Sequence, residues 1–171
     1  MTRVLIAGLG NMGLSHALAH HKNPASEIVG LVNRSGETGH PELQGYPVFT
    51  DFQVALSEVK PDLAVIATYS DSHADYACAA MDAGAHVFVE KPLATTVAEA
   101  ERVVAKAKAA GRKLVVGYIL RHHPSWQRLI AEARDLGGPY VFRMNLNQQS
   151  AGAEWETHKA LMQTTSPIVD C

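Results

Sequence analysis

The segment "AHVFVEKPLATT", residues 85–96, places two opposite charges at the end of a run of strand-forming residues. Glu90, Lys91 and Pro92 stand where the chain leaves a predicted buried strand, and a lysine is seldom buried without a purpose. A lysine ammonium can hydrogen-bond a hydroxyl or carbonyl oxygen and assist the transfer of its proton. The residues alone leave two interpretations open: a catalytic lysine, or a Glu–Lys surface pair at the start of a loop.

A glycine pattern close to the N-terminus, "GLGNMG", has the spacing G-x-G-x-x-G. It follows an apolar run and opens a helical segment, which is the context of a dinucleotide-binding loop. Gly8 would permit a tight turn, Gly10 would let the backbone approach a pyrophosphate, and Gly13 would let helix and strand pack closely. With Asn11 and Met12 they would place phosphates at a helix N-terminus. The alternative is a glycine-rich turn without a ligand.

The second predicted strand ends in Asn33, Arg34 and Ser35, which we assign to the same cofactor site. An NAD site normally has Asp or Glu about 20 residues past the glycine loop, to bind the ribose 2′-hydroxyl. Asn33 followed by Arg34 instead suits a 2′-phosphate, which favours NADP over NAD. Three alternatives stay open: Arg34 is a solvated surface residue, it stacks on adenine, or Glu37 fulfils the NAD role.

The elements that position these residues are apolar, mostly β-branched runs that alternate with helical segments. The runs cover residues 4–7, 28–32, 63–67, 86–89 and 114–117, with a weaker one at 46–49 where Pro47 indicates a sheet edge. Continuous apolar runs are typical of strands that are buried on both faces. The alternation predicts an α/β fold with a doubly wound parallel sheet.

Helix boundaries are also marked in the sequence. Thr96 and Glu99 have capping-box spacing, and Gly111 is placed to end the same helix. Asp71 or Ser72 is a candidate N-cap for the preceding helix, which Gly84 would end.

The pattern changes after residue 121. Pro124 is placed to start a helix, and residues 140–149 alternate with a period of two, as in a half-exposed strand. We therefore predict a dinucleotide-binding domain at residues 1–121 and the beginning of a second domain at residues 122–171.

Composition excludes several classes of protein. The 171 residues carry 15 Lys and Arg, 17 Asp and Glu and a net charge of −2, which is not the basic footprint of a nucleic-acid binder. Two cysteines indicate a reducing compartment, and the N-terminal apolar run is too short for a signal or a membrane span. We expect a cytoplasmic protein without a membrane or nucleic-acid partner.

No Cys/His spacing predicts a metal site. His16, on the first helix after the glycine loop, either faces the cofactor or has a packing role.

Taken in order, "GLGNMG…H", "PDLAVIAT…H", "AGAHVFVEKPLA" and "GYILRHHP" resemble the Gfo/Idh/MocA family of oxidoreductases along nearly the whole chain. The resemblance implies an N-terminal Rossmann domain and a C-terminal α/β domain with a large open sheet. It also implies hydride transfer between NAD(P) and a carbinol carbon of a sugar, cyclitol or related small molecule. A homo-oligomer would form through the sheet of the second domain.

The resemblance also assigns residues. It implies Lys91 as a catalytic residue and Glu90 as part of the cofactor pocket, with further cofactor contacts from Thr68, Ser70, His73 and Arg121, although Tyr69 replaces a common proline. Asp170 matches the Asp of a D-x-G-x-H motif, whose His would lie beyond Cys171. The chain thus resembles a cofactor-binding half with the start of a truncated substrate domain, and we expect little catalysis from it alone. Two alternatives remain: a non-catalytic dinucleotide-binding regulatory module, and a cofactor-dependent enzyme without net redox change.

Overall fold

A computed structural model describes residues 1–143 of the chain. Its core is one sheet of six parallel strands in the order β3-β2-β1-β4-β5-β6. The strands are β1 (Thr2–Ala7), β2 (Ser26–Val32), β3 (Val48–Phe49), β4 (Leu63–Ile66), β5 (His86–Val89) and β6 (Leu114–Val116). The predicted doubly wound parallel sheet is therefore confirmed, and the weak strand predicted around Pro47 lies at the sheet edge, where the Pro47 carbonyl accepts a hydrogen bond from Leu31 N–H.

Helices alternate with the strands, except that only a 3-10 turn lies between β2 and β3. They are α1 (Asn11–Lys22), α2 (Phe52–Val59), α3 (Ser70–Asp82), α4 (Val97–Ala110) and α5 (Pro124–Leu136), with 3-10 turns at Pro41–Leu43 and Ile119–His122. None of the helices within residues 1–143 is long and apolar enough to cross a membrane.

The sheet is buried on both faces, which explains its continuous apolar runs. One face, including Leu5, Ala7 and Ile66, packs against residues of α2, α3 and α4. The other face, including Val4 and Ile6, packs against α1 and the first 3-10 turn. Because neighbouring residues of each strand point to opposite faces, α1 and α3 cover different sides of the sheet.

Two helix boundaries show how well local signals worked. The capping box of α4 is present: Thr96 Oγ1 accepts from Glu99 N–H at 3.2 Å, and Glu99 Oε2 accepts from Thr96 N–H at 3.1 Å. Gly111 ends α4 in the left-handed region with φ of 63°. The predicted N-caps of α3 were wrong, because that helix already begins at Ser70, with Tyr69 at the N-cap position.

The chain divides into two compact units between Gly117 and Tyr118, while the sequence analysis placed the boundary between residues 121 and 122. In the second unit α5 begins at Pro124 and ends at Gly137, with φ of 72°, which confirms the predicted helix. Residues 140–143 have no regular secondary structure, so the predicted strand is wrong for these residues, and the rest of it, residues 144–149, lies outside the described residues.

Candidate dinucleotide site at the carboxyl ends of β1 and β4

The central crevice lies where the strand order reverses. The chain moves from β1 to β2 on one side and returns to β4 on the other side of β1. The loops that follow β1 and β4 lead into α1 and α3, which cover opposite faces of the sheet. Parallel α/β sheets bind ligands in the crevice that such diverging loops create.

Gly8 and Gly13 bring the two loops into close contact. Gly8 has φ of +85°, and a Cβ there would lie 2.5 Å from the carbonyl oxygen of Ala67 after β4. A Cβ at Gly13 would lie 1.7 Å from the carbonyl oxygen of Gly8. Neither position can hold a larger residue without displacing backbone, so Gly8 is required by its contact with the loop after β4 and Gly13 by the packing of α1 against the glycine loop.

Gly10 differs from its two neighbours in the pattern. Its φ of −70° is open to any residue, and a Cβ there would meet no heavy atom within 4 Å. Packing within the first unit therefore does not explain this glycine. The open space on its surface is what close approach of a ligand to the backbone requires. Asn11 and Met12, which follow it in the first turn of α1, are exposed.

The two helices that open at the crevice lack side-chain caps. Among the α-helices within residues 1–143, α2, α4 and α5 have a side chain that accepts a hydrogen bond at the N-terminus, and α1 and α3 have none. Helix N-termini leave backbone N–H groups unpaired and carry a partial positive charge. The uncapped N-terminus of α1, which follows Gly10, and that of α3 lie at the same edge of the sheet and fit the diphosphate of a dinucleotide.

The loop after β2 holds an arginine at the same edge of the sheet. Asn33 Nδ2 donates to Ser35 Oγ at 2.9 Å and to the Glu37 carbonyl at 2.8 Å, so this amide shapes the loop. The guanidinium of Arg34 lies 5.5 Å from the ring centroid of Tyr69, the N-cap residue of α3. A cation–π contact of this kind directs the exposed arginine toward the crevice side of the loop.

The loop after β4 is tied to the loop that follows Lys91. Thr68 Oγ1 and Ser72 Oγ are joined by a 2.7 Å hydrogen bond, and Ser70 is buried at the start of α3. His73 is 1% exposed; its Nδ1 lies 2.7 Å from the Pro92 carbonyl and its Nε2 lies 3.1 Å from the Thr68 carbonyl. A neutral imidazole has a single N–H donor, so His73 donates to one of these two carbonyls, while its other ring nitrogen lies against the second carbonyl oxygen. Both ring nitrogens therefore face the protein's own backbone in this arrangement.

Glu90 and Lys91 follow β5 on the same edge. Glu90 is 6% exposed; its Oε1 accepts from His16 Nε2 at 2.8 Å and its Oε2 accepts from Lys91 N–H at 3.3 Å. The Lys91 side chain is partly buried and has no ion-pair partner in the part of the chain that the structure describes. An ammonium without a carboxylate partner can donate its hydrogen bonds to a ligand.

Two assigned residues do not belong to the first unit. Arg121 belongs to the second unit, where its guanidinium lies 5.2 Å from the ring centroid of Tyr118. Asp170 lies outside the described residues. Within residues 1–143 no group of three or more His, Cys, Asp or Glu residues is arranged to hold a metal ion.

Sequence reasoning did not pair His16 with Glu90, which are 74 positions apart. The sequence positions of the two residues give only part of the information needed to pair them. His16 lies three residues after Gly13, on the first turns of α1, and Glu90 has the same strand parity as Phe88, whose ring also contacts His16. One sequence does not reveal that these two segments meet.

A doubly wound parallel sheet with a glycine loop at its switch point defines a Rossmann-type nucleotide-binding domain. Residues 2–118 match the Gfo/Idh/MocA model, described as "Oxidoreductase family, NAD-binding Rossmann fold". The chain belongs to the Gfo/Idh/MocA family of oxidoreductases.

Individual relatives agree with this assignment. The chain is 30% identical over 168 residues to 4-carboxy-2-hydroxymuconate-6-semialdehyde dehydrogenase of Sphingobium sp. (strain NBRC 103272 / SYK-6), covering 91% of this chain and 53% of the relative. It is 26% identical over 174 residues to inositol 2-dehydrogenase of Salmonella paratyphi B (strain ATCC BAA-1250 / SPB7), and the match covers 96% of this chain and 52% of that relative. It therefore spans about half the length of these curated relatives.

A solved structure is similar over the same region. It is a 3-ketoreductase of Actinomadura kijaniata in complex with NADP and TDP-benzene, with a TM-score of 0.70 and 26% sequence identity. The similarity covers 80% of this chain and 42% of that protein.

Proposed function

We propose that the protein is an NAD(P)-dependent oxidoreductase that transfers a hydride between the nicotinamide and a carbinol carbon of a sugar, cyclitol or related small molecule. The observation that carries this proposal is the placement of Lys91. Lys91 is a half-buried residue without an ion-pair partner in residues 1–143, and it lies at the sheet edge that also carries the glycine loop and the two uncapped helix starts. A phosphate-binding loop and an available proton donor at one edge are the two requirements of such a reaction.

The chain's own residues divide the work between binding and proton handling. Gly8, Gly10 and Gly13, with the N–H groups of Asn11 and Met12, would hold the diphosphate, while Thr68 and Ser70 would line the loop opposite. The bound nicotinamide supplies the hydride acceptor or donor.

Lys91 would donate a hydrogen bond to the reacting oxygen and hold or release the proton that accompanies the hydride. The family resemblance adds Asp170, which would orient a further proton-transfer group. His73 and Arg121 remain predicted cofactor contacts, although His73 would act in its observed arrangement only through the loops it contacts.

We propose NADP rather than NAD as the preferred cofactor. Support comes from Arg34, whose guanidinium lies over Tyr69, and from the absence of a carboxylate at the Asn33 position. Guanidinium groups bind phosphates in two-point contacts, whereas a carboxylate would repel a 2′-phosphate. The bound NADP of the similar 3-ketoreductase is consistent with this choice.

The rest of the proposal concerns the whole protein. Residues 1–121 would form the dinucleotide-binding domain and residues 122–171 would begin the substrate domain, through whose sheet a homo-oligomer would form. The substrate class is supported by the names of the relatives, one of which is an inositol dehydrogenase. A cytoplasmic location is supported by the buried free thiol of Cys78. Neither nucleic acid nor membrane is a proposed partner.

The first experiment is a fluorescence titration of the 171-residue chain with NADPH and with NADH. We expect NADPH to bind at least about tenfold more tightly, since a phosphate–arginine contact is a charge-assisted hydrogen bond. Arg34→Met keeps an unbranched apolar side chain in place of the aliphatic part of arginine and removes the charge, and it should weaken NADPH binding while leaving NADH binding unchanged. Tighter binding of NADH by the wild-type chain would refute the NADP assignment, and binding of neither would refute the dinucleotide site.

The second experiment measures turnover in a full-length version with NADP+ and a panel of polyols, following the absorbance of reduced nicotinamide. Net reduction that Lys91→Met abolishes supports the proposed reaction. Tight cofactor binding without turnover of any substrate would favour the regulatory module. Bond cleavage with the oxidation state of the cofactor restored would favour the enzyme without net redox change.

A further inference from the structure

The alternation of β5 explains why one histidine can contact two of its residues. Phe88 and Glu90 are two positions apart, so their side chains point to the same face of the sheet. That face is covered by α1, whose His16 ring lies edge-on to Phe88 with a centroid distance of 4.8 Å. The same ring donates through Nε2 to Glu90 Oε1 at 2.8 Å. Lys91, one position on, begins the loop that leads to Pro92.

The Glu90 carboxylate has three neighbours that fix its position. Its first oxygen accepts from His16 and its second accepts from the backbone N–H of Lys91. Its carboxylate also fills the space beside Gly117 at the end of β6, where a Cβ would lie 3.0 Å from Oε2. A carboxylate that is 6% exposed is expensive to bury unless its oxygens are hydrogen-bonded.

This arrangement connects α1 to the backbone of the proposed catalytic lysine. We infer that His16 is a positioning residue for Lys91, acting through the Glu90 carboxylate. By fixing Glu90 Oε1, His16 keeps Oε2 on the Lys91 N–H, and this contact sets the direction in which the Lys91 side chain leaves β5. The inference deepens the proposed function and rests on it for the role of Lys91, but its physical content concerns the positions of residues 16, 90 and 91 alone.

Two matched variants isolate the donor of His16 from its packing. His16→Leu keeps an apolar contact with Phe88 and removes the hydrogen-bond donor. His16→Gln restores a donor at nearly the reach of Nε2. Gly117→Ala perturbs the carboxylate while leaving His16 intact, because its Cβ would lie 3.0 Å from Glu90 Oε2 and the carboxylate would have to shift by a few tenths of an ångström.

One measurement reports the hydrogen bond between the Lys91 N–H and Glu90, and another reports the solvent exposure of the Lys91 amine. Amide hydrogen exchange of the 171-residue chain, followed by NMR, reports the Lys91 N–H, with the Ala64 amide in the central strand as a reference for global opening. Acylation by acetic anhydride, followed by peptide mass spectrometry, reports the Lys91 amine relative to the exposed Lys60. Titration with NADPH and NADH is run separately on each variant.

In His16→Leu we expect Lys91 amide exchange to rise roughly tenfold relative to Ala64, because a hydrogen bond to a charged group is lost. The Lys91-to-Lys60 acylation ratio should rise by about threefold or more, as the side chain samples solvent. Gly117→Ala should give the same pattern, and His16→Gln should stay within about twofold of the wild type in both measurements.

Equal changes at Lys91 and Ala64 in His16→Leu would mean a general loss of stability and would overturn the inference, as would equal effects of Leu and Gln at residue 16. Should His16→Leu fail to fold, Gly117→Ala decides the question by the same criteria. Failure of the wild-type chain to bind either dinucleotide would defeat the proposed function, and the exchange and acylation results would then still decide whether His16 positions Lys91.

Discussion

Substitution of two glycines in the same loop should separate folding from binding. At Gly13, alanine would place its Cβ 1.7 Å from the carbonyl oxygen of Gly8 and 2.8 Å from the carbonyl carbon. Because the contacted atoms are backbone, the helix or the loop must move by more than 1 Å, estimated from ordinary van der Waals separations of about 3.5 Å. At Gly10, alanine meets no heavy atom within 4 Å and has an accessible φ of −70°.

The energies follow from these geometries. Overpacking of a tight core site costs about 1–3 kcal/mol and sometimes more, whereas alanine gains about 1 kcal/mol over glycine in a helix interior. We expect Gly13→Ala to lower the free energy of unfolding by about 2 kcal/mol, because a backbone clash near the upper end of that range, about 3 kcal/mol, is offset by the helix gain of about 1 kcal/mol. Gly10→Ala should change it by less than about 1 kcal/mol, because the loss at an N-cap and the gain from a stiffer unfolded chain oppose each other.

The assay pairs urea unfolding, monitored by circular dichroism, with NADPH titration on both variants of the 171-residue chain. Gly10→Ala should unfold like the wild type and bind NADPH at least about tenfold more weakly, because its methyl group occupies the space of the pyrophosphate. Gly13→Ala should unfold at a lower urea concentration, and in a thermal scan its melting temperature should be lower by roughly 4–8 °C. Wild-type affinity in Gly10→Ala would refute the placement of the diphosphate, and equal destabilisation by the two variants would refute the packing argument.

Two further predictions concern the helix ends of the first unit. Lys60 caps α2 in the left-handed region with φ of 44°, and Gly111 caps α4 with φ of 63°. In urea unfolding, Lys60→Gly should therefore raise the free energy of unfolding and Gly111→Ala should lower it, each by about 1 kcal/mol. Shifts of the same sign in the two variants would contradict this prediction. Hydrogen bonds, first from the Thr95 side chain and then from Thr96, hold the pKa of Glu99 below its ordinary value of 4.5. A lowered folded-state pKa adds stability above the unfolded-state pKa, and this stability is lost as the pH falls through the folded-state pKa. The free energy of unfolding of the wild type minus that of Glu99→Gln should therefore decrease on acidification in parallel urea titrations. A pH-independent difference would count against the capping role.

The sequence was sufficient for the elements whose signals are local. Continuous apolar runs predicted all six strands, and Thr96, Glu99 and Gly111 marked α4 correctly because caps involve residues within one turn. The start of α3 was misplaced because Ser70, Asp71 and Ser72 are all suitable N-caps. The structure starts the helix earlier, directly after the loop that packs on Gly8, so the tertiary contact of that loop and not the cap preference sets the first residue.

The site was predictable in its parts but not in its connections. "GLGNMG" and the lysine after β5 were visible as patterns, and parallel topology placed them at one edge. The contacts of His16 with Glu90 and of His73 with Pro92 join segments 74 and 19 positions apart. No local spacing encodes such pairs, and the same histidines would read as ordinary helix residues until the sheet brings their partners within reach.

The missing side-chain caps of α1 and α3 tie the rigidity of the free protein to the molecule it binds. The N-cap side chains of these two helices accept no hydrogen bond, so N–H groups of the first turn are available to an added acceptor. An anion seated between these two ends would close both at once, and it would join layers that lie on opposite sides of the sheet. Binding should then reduce amide mobility at Asn11 and Ser70 together, so that one ligand stabilises helices on both faces of the sheet at the same time.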